Sequence, residues 1–192
     1  LLARWNCRVN LVSRKEGMDG ILSHILQSLA AHSLLALPDS ASYFDLGTGG
    51  GFPGIPLAVI MPSASFVLCD SIGKKIRAVE DMTSALGLSN VRCLHARAED
   101  AGTRPEHQGA YDIVLSRAVA ALNEVARLCL PLLRREGPRT QIAWKGGDIS
   151  RELNGLKRLQ KVESATVTAL ALEWAAEYSI EDKKLVEVRF AV

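Results

Sequence analysis

Apolar residues at Met18, Ile21, Leu22, Ile25, Leu26 and Leu29 recur at the i, i+3, i+4, i+7 spacing of one helix face, which predicts an amphipathic helix starting at Met18. From Tyr43 the pattern changes. The runs "YFDL", "SFVLCD", "NVRCLH", "YDIVLS" and "TQIAWK" are short, rich in apolar residues and separated by helical stretches, an alternation that predicts parallel strands with crossover helices. The clearest crossover is 73–86. There Ile76, Val79, Met82 and Leu86 face one way, Lys74, Lys75, Arg77, Glu80 and Asp81 face the other, and Gly87 stands where a C-terminal cap belongs. Further helices are expected over 121–130, ending near Pro131, and over 149–159. In "KLVEVRFAV", Val186, Val188 and Phe190 alternate with Glu187 and Arg189. With "ESATVTALAL" before it, this suits a closing hairpin at the sheet edge. Asp100 to Ala110, with Gly102, Pro105 and Gly109, reads as a loop. The expected organisation is a helical N-terminal extension, 1–40, packed on an open α/β core, 41–192.

A chain of 192 residues, 48% hydrophobic and 23% charged, can bury one full core, so disorder is not expected. The longest apolar stretch, "SLAAHSLLALP", is interrupted by His32 and too short to span a bilayer. No export signal opens the chain, so a cytoplasmic location is expected; the first residue is Leu1, and upstream sequence stays open. Cys7, Cys69, Cys93 and Cys129 are widely spaced, which predicts neither zinc nor disulfides but buried small hydrophobes. His24, His32 and His95 form no metal-site spacing with acids, and no metal is expected. Trp5, Trp144 and Trp174 are scattered, so no stacking platform for bases is predicted. A net charge of +2 means that any nucleic-acid surface must come from clustering.

"YFDLGTGGGFPGIP" places a dense glycine cluster between a strand and a helix, where bare backbone can approach a ligand that a Cβ would hold away. Two frames fit. Gly49, Gly51 and Gly54 match G-x-G-x-x-G with Asp70 at the distance of a ribose-binding acid, which would make the chain an NAD-binding oxidoreductase. The other frame puts Asp45 first and glycines at 47, 49 and 51. It resembles the first motif of Rossmann-like methyltransferases that use S-adenosyl-L-methionine, in which Asp70 would hold the ribose. Two carboxylates, Asp45 and Asp70, near a cationic sulfonium and ammonium are electrostatically reasonable.

"DLGTGGGFPGIPLAV", then "DSIGKK", "ARAED", "LSRAV" and "AWKG" in that order, with "WNCRVNLVS" and "SHILQSLA" upstream, resemble the glucose-inhibited division protein B family over nearly the whole chain. That family comprises bacterial guanine-N7 methyltransferases of 16S ribosomal RNA. The resemblance implies a Rossmann-like class I methyltransferase sheet with S-adenosyl-L-methionine as cofactor and 16S ribosomal RNA or the small ribosomal subunit as partner. It also implies that Gly47 and Phe52 line the cofactor, that Ala98 and Glu99 contact its adenine end, and that Arg117 sits at the cofactor side near the target base. Gly49, Gly51 and Asp70 follow from the general methyltransferase pattern. Gln27 stands where the family often carries an acid.

The residues after the fourth strand, Ser116-Arg117-Ala118-Val119, lack the Asn/Asp-Pro-Pro-aromatic motif of enzymes that methylate exocyclic amines. Cys129 lies within an apolar helix, away from the place of a cytosine-C5 nucleophile. Guanine N7 carries an in-plane lone pair that needs no general base, so alignment alone can supply much of the acceleration. Arg117 would hold the cofactor, donate to guanine O6, or pair with Glu99 or Asp112. Lys74, Lys75, Arg97 and Lys145 fall beyond strand ends on one rim, and Lys74, Arg97 and Lys145 are the expected RNA contacts. Arg134, Arg135 and Arg139 are expected in a surface turn. His24 is read either as a satisfied core-edge histidine or as a contact to the substrate pocket. A monomer is expected, with a non-catalytic rRNA-binding assembly factor as a further alternative.

Overall fold

A computed structural model describes residues 1–13, 17–137, 139–173, 175–178 and 180–191. Trp174 lies outside the described residues. Among the described residues seven strands form one sheet: β1 (Ser42–Leu46), β2 (Ser65–Asp70), β3 (Val91–His95), β4 (Ile113–Arg117), β5 (Thr140–Gly146), β6 (Val162–Ala169) and β7 (Lys183–Phe190). Their order is β3-β2-β1-β4-β5-β7-β6. β1 to β5 run parallel, and β7 inserts antiparallel between β5 and β6. The order reverses between β1 and β4, so the crevice beyond their carboxyl ends is the expected ligand position. The expected edge hairpin is β6–β7. Its antiparallel β7 departs from the dinucleotide-binding sheet and speaks against the oxidoreductase frame.

Successive strand side chains point to opposite faces, and here both faces are covered. Tyr43, Phe66, Leu68, Ile113 and Trp144 enter one core, while Phe44, Cys69, Val114 and Ala143 enter the other. The first is closed by α2 (Gly17–Leu35), α3 (Gly54–Ile60) and α4 (Gly73–Ala85), with α1 (Leu2–Asn6) at its margin. The second is closed by α5 (Ala98–Thr103), α6 (Leu122–Cys129) and α7 (Ser150–Leu156). Double burial is why the central strands read as apolar runs rather than alternations.

Helix α4 follows its pattern closely. Ile76, Val79 and Met82 are buried, Leu86 at the helix end is instead 49% exposed, and the helix ends as expected at Gly87, whose φ is +67°. Leu88 N–H donates to the Thr83 carbonyl and Gly87 N–H to the Ser84 carbonyl, both at 3.0 Å, a Schellman closure. Helix α2 exists where predicted but is rotated. Met18 and Leu22 are 62% and 40% exposed, whereas Gln27 and Ser28 are buried. The small, polar flank, with Ala30 and Ala31, faces the sheet, and Trp144 Nε1 donates to the Gln27 carbonyl at 2.7 Å.

Three local expectations are corrected. Residues 98–103 are helical, so the loop begins only at Arg104. Arg134 and Arg135 are exposed, but Arg139 is buried and donates to the Ala191 carbonyl. Cys69 and Cys129 are buried as expected, whereas Cys7 is exposed and Cys93 half-buried.

Candidate active site

After β1 the chain turns through Gly47, Gly49 and Gly51, all at positive φ, into α3. Two close approaches need glycine. A Cβ on Gly47 would lie 2.7 Å from Val119 Cγ2, and one on Gly54 would lie 2.1 Å from Leu68 Cδ2. The turn is tied to β2 because Gly47 N–H and Thr48 N–H both donate to the Cys69 carbonyl at 2.9 Å. Part of the glycine density therefore serves packing between loop, α3 and sheet.

The two carboxylates at the strand ends have separated roles. Asp45 is wholly buried beneath the loop, and its Oδ2 accepts from Thr48 Oγ1 at 2.7 Å and from Gly54 N–H at 3.0 Å. Burial pushes its carboxyl up to about 7. This corrects the expectation that Asp45 faces a cationic sulfur, because side chains and backbone enclose it. Asp70 opens to the crevice. Its Oδ2 accepts from Gly49 N–H at 3.0 Å, its Oδ1 accepts from Ile72 N–H at 2.9 Å, and Lys75 Nζ stands 4.0 Å away. A carboxylate has about four acceptor sites, so Asp70 keeps capacity for ligand hydroxyls.

Asp70 and Gly47 line a cleft of about 670 Å³ together with Lys75, Ala98, Val119 and Leu128; Arg97 and Glu99 also line it. Here the backbone is bare and a carboxylate is held ready, a donor set that fits a ribose and an amino-acid chain. Cys69 borders the same cleft, but burial pushes its thiol up to about 12, so it offers no nucleophile.

A second cleft, about 620 Å³, lies on the other side of residues 117–118 and is lined by His24, Gln27, Arg117, Trp144, Lys145 and Lys183 among others. Arg117, at the end of β4, donates to Nδ1 of His24 and, at 3.4 Å, to the His24 carbonyl. The acceptor at Nδ1 requires a neutral ring. Burial, with Arg117 and then Lys183 nearby, lowers the His24 pKa to about 4. Phe52 packs against both partners: its ring centroid is 5.4 Å from that of His24 and 5.9 Å from Arg117 Cζ, within cation–π range.

The structure thus brings Gly47, Asp70, Arg97, Ala98 and Glu99 to one cleft and places Arg117 on the wall of the other. Gly49 and Gly51 shape the turn from behind, and Phe52 packs between the turn and α2. Lys74 is exposed on α4, while Lys145 Nζ pairs with Glu152 Oε2 at 2.7 Å and donates to the Ala120 carbonyl. Sequence reasoning missed Val119, Trp144 and Lys183 as cleft residues. Lys75, expected at the rim, lines the Asp70 cleft. Among the described residues no group of His, Cys, Asp or Glu has metal-binding geometry, and no helix is long and apolar enough to cross a membrane.

Residues 1–178 match the family described as rRNA small subunit methyltransferase G. The chain belongs to that family. Ribosomal RNA small subunit methyltransferase G of Porphyromonas gingivalis is 44% identical over 158 residues, covering 80% of this chain and 69% of the relative. The proteins of that name from Desulforamulus reducens and Chlorobium luteolum are 40% and 44% identical, with 80% of this chain covered in each case. This chain spans only 63% and 61% of those two relatives. The fold of this methyltransferase G family member resembles an S-adenosylmethionine-dependent O-methyltransferase from Thermotoga maritima, with TM-score 0.66 at 13% identity over 87% of this chain and 65% of that one. A putative S-adenosyl-L-methionine-dependent methyltransferase from Methanococcus maripaludis gives TM-score 0.66 at 11% identity, covering 90% and 87%. The fold is therefore the Rossmann-like class I methyltransferase sheet. Neither the oxidoreductase nor the assembly-factor alternative finds support among these relatives.

Proposed function

We propose that this protein methylates N7 of a guanine in 16S ribosomal RNA. The observation that carries this reading is a pair of clefts that share Ala118 in their walls in a member of the methyltransferase G family. When bound, S-adenosyl-L-methionine supplies an electrophilic methyl group on a sulfonium centre. Asp70 accepts from the ribose hydroxyls, Gly47 lets the backbone approach the amino-acid portion, and Ala98 and Glu99 flank the adenine. Gly49 and Gly51 hold the turn in shape, and Phe52 supports it from behind.

Arg117, aligned by neutral His24, faces the O6 side of the guanine and leaves N7 open to the methyl. No residue is assigned as general base, since N7 releases no proton. Cys129 adds no nucleophile, because it is wholly buried and burial pushes its thiol up. Lys74 and Arg97 contact RNA phosphates along the rim. The extension 1–40 supplies the acceptor-side wall to the core of 41–192. The protein acts in the cytoplasm as a monomer, without a resident metal.

The test is transfer of labelled methyl from S-adenosyl-L-methionine to 16S ribosomal RNA or small subunits, followed by mapping of the modified base. N7-methylguanine at one site is the expected result. No transfer, or methyl on another atom, would refute the assignment.

A further inference from the structure

Residues 117–120 form the partition between the clefts, with Arg117 and Ala118 on the acceptor side and Ala118, Val119 and Ala120 on the donor side. The partition is not relaxed. Ala118 has φ +53°, a left-handed conformation disfavoured for a residue with a Cβ, and such residues persist where their surroundings hold them. The holding contacts come from outside. Lys145 Nζ, near the end of β5, donates to the Ala120 carbonyl at 2.7 Å and pairs at 2.7 Å with Glu152 Oε2 on α7. The same carboxylate oxygen accepts from Leu122 N–H at 2.8 Å, at the start of α6. The two side chains are only 14% and 29% exposed. One ammonium and one carboxylate thus hold the exit of the partition at the Ala120 carbonyl and the Leu122 N–H, and Lys145 also borders the acceptor cleft.

We propose that Lys145 and Glu152 are positioning residues that clamp this partition, so that Val119 stays closed over Gly47 while Arg117 faces the acceptor. The inference rests on reading the clefts as donor and acceptor sites. It replaces the sequence-based expectation that Lys145 meets an RNA phosphate, and the two ideas differ most over Glu152. If Lys145 served RNA, removing the carboxylate would release the ammonium and tighten RNA binding. If it serves the clamp, the same change loosens the partition and slows transfer.

The experiment compares Lys145→Met and Glu152→Ala with the conservative Lys145→Arg and Glu152→Gln, all in the full chain. Amide hydrogen exchange, binding of S-adenosylhomocysteine, and kcat and KM on 16S ribosomal RNA are measured. In the disruptive variants, amides of 119–122 should exchange about tenfold faster or more while β1 and β2 amides keep their protection. Their kcat should fall about a hundredfold with KM for RNA nearly unchanged, as expected when aligned reactants are displaced by about 1 Å. The conservative variants should recover most of both, and Glu152→Gln carries the test if a disruptive variant does not fold. Unchanged exchange in 119–122, or tighter RNA binding by Glu152→Ala at constant kcat, would overturn the clamp. If the wild-type protein moves no methyl group, the functional reading fails while the exchange data still decide the clamp.

Discussion

The two clefts sit side by side yet are built differently. The donor cleft is assembled from the carboxyl ends of neighbouring parallel strands and the turns that follow them, so its key features are bare Cα positions and the Asp70 carboxylate. The acceptor cleft is assembled from distant segments. Arg117 meets His24 across 93 residues of chain, and Trp144 meets Gln27 across 117. A site made of backbone tolerates exchange of most surrounding side chains, whereas a site made of tertiary contacts depends on a few side chains holding one another.

Arg117→Ala should give the largest effect. It should lower kcat on ribosomal RNA about a hundredfold or more, because a preorganised donor at the acceptor is lost, while S-adenosylhomocysteine affinity hardly moves. Equal losses in turnover and binding titrations would erase the distinction between the clefts. Asp70→Ala should do the reverse, weakening S-adenosylhomocysteine about ten- to a hundredfold, the range for lost hydrogen bonds to a charged group. Calorimetric titration showing unchanged affinity would remove Asp70 from the donor site. Gly47→Ala touches the shared wall, since it sets a Cβ against Val119 at a positive φ. It should destabilise the protein by about 1–2 kcal/mol and weaken cofactor binding, read by denaturant unfolding and titration.

The pH dependence sharpens the contrast through one buried and one half-buried group with opposite signs. Asp45 has its folded pKa raised from 3.8 to about 7, so its contribution to stability is present below 3.8 and is lost as pH rises toward 7. His24 has its folded pKa lowered from 6.5 to about 4, so its contribution is present above 6.5 and is lost as pH falls toward 4. Melting curves across this window should therefore show Asp45→Asn gaining on the wild type as pH rises and His24→Asn gaining as pH falls. Parallel curves for both variants would contradict the burial of the two groups. The smallest effect belongs to the rim: Lys74→Ala should reduce the salt dependence of RNA binding by about 0.7 log units per decade, and an unchanged slope would leave Lys74 as a solvated helix residue.

Much of the fold was legible because its signals are local. Strand β2 and helix α4 follow from runs, turns and one glycine cap, each set by neighbours in sequence. Helix α2 was legible as a helix but not in its orientation: periodicity marks an apolar face without saying which face meets the sheet, and here close packing selected the smaller side chains. Asp70 was readable from its place after the glycine motif. The fate of Asp45 was not, since the same spacing suits a ligand-facing carboxylate and a buried one.

By itself the sequence determined the alternation of strands and helices, the turn that bares the backbone, and the family resemblance of its motifs. These are properties of adjacent residues, fixed by sterics and period. Tertiary structure alone decided that Arg117 leans on His24, that Lys145 turns inward to Glu152, and that Asp45 is sealed. Each outcome depends on which distant groups share a low-dielectric space, where an unpaired charge is costly and the nearest partner prevails.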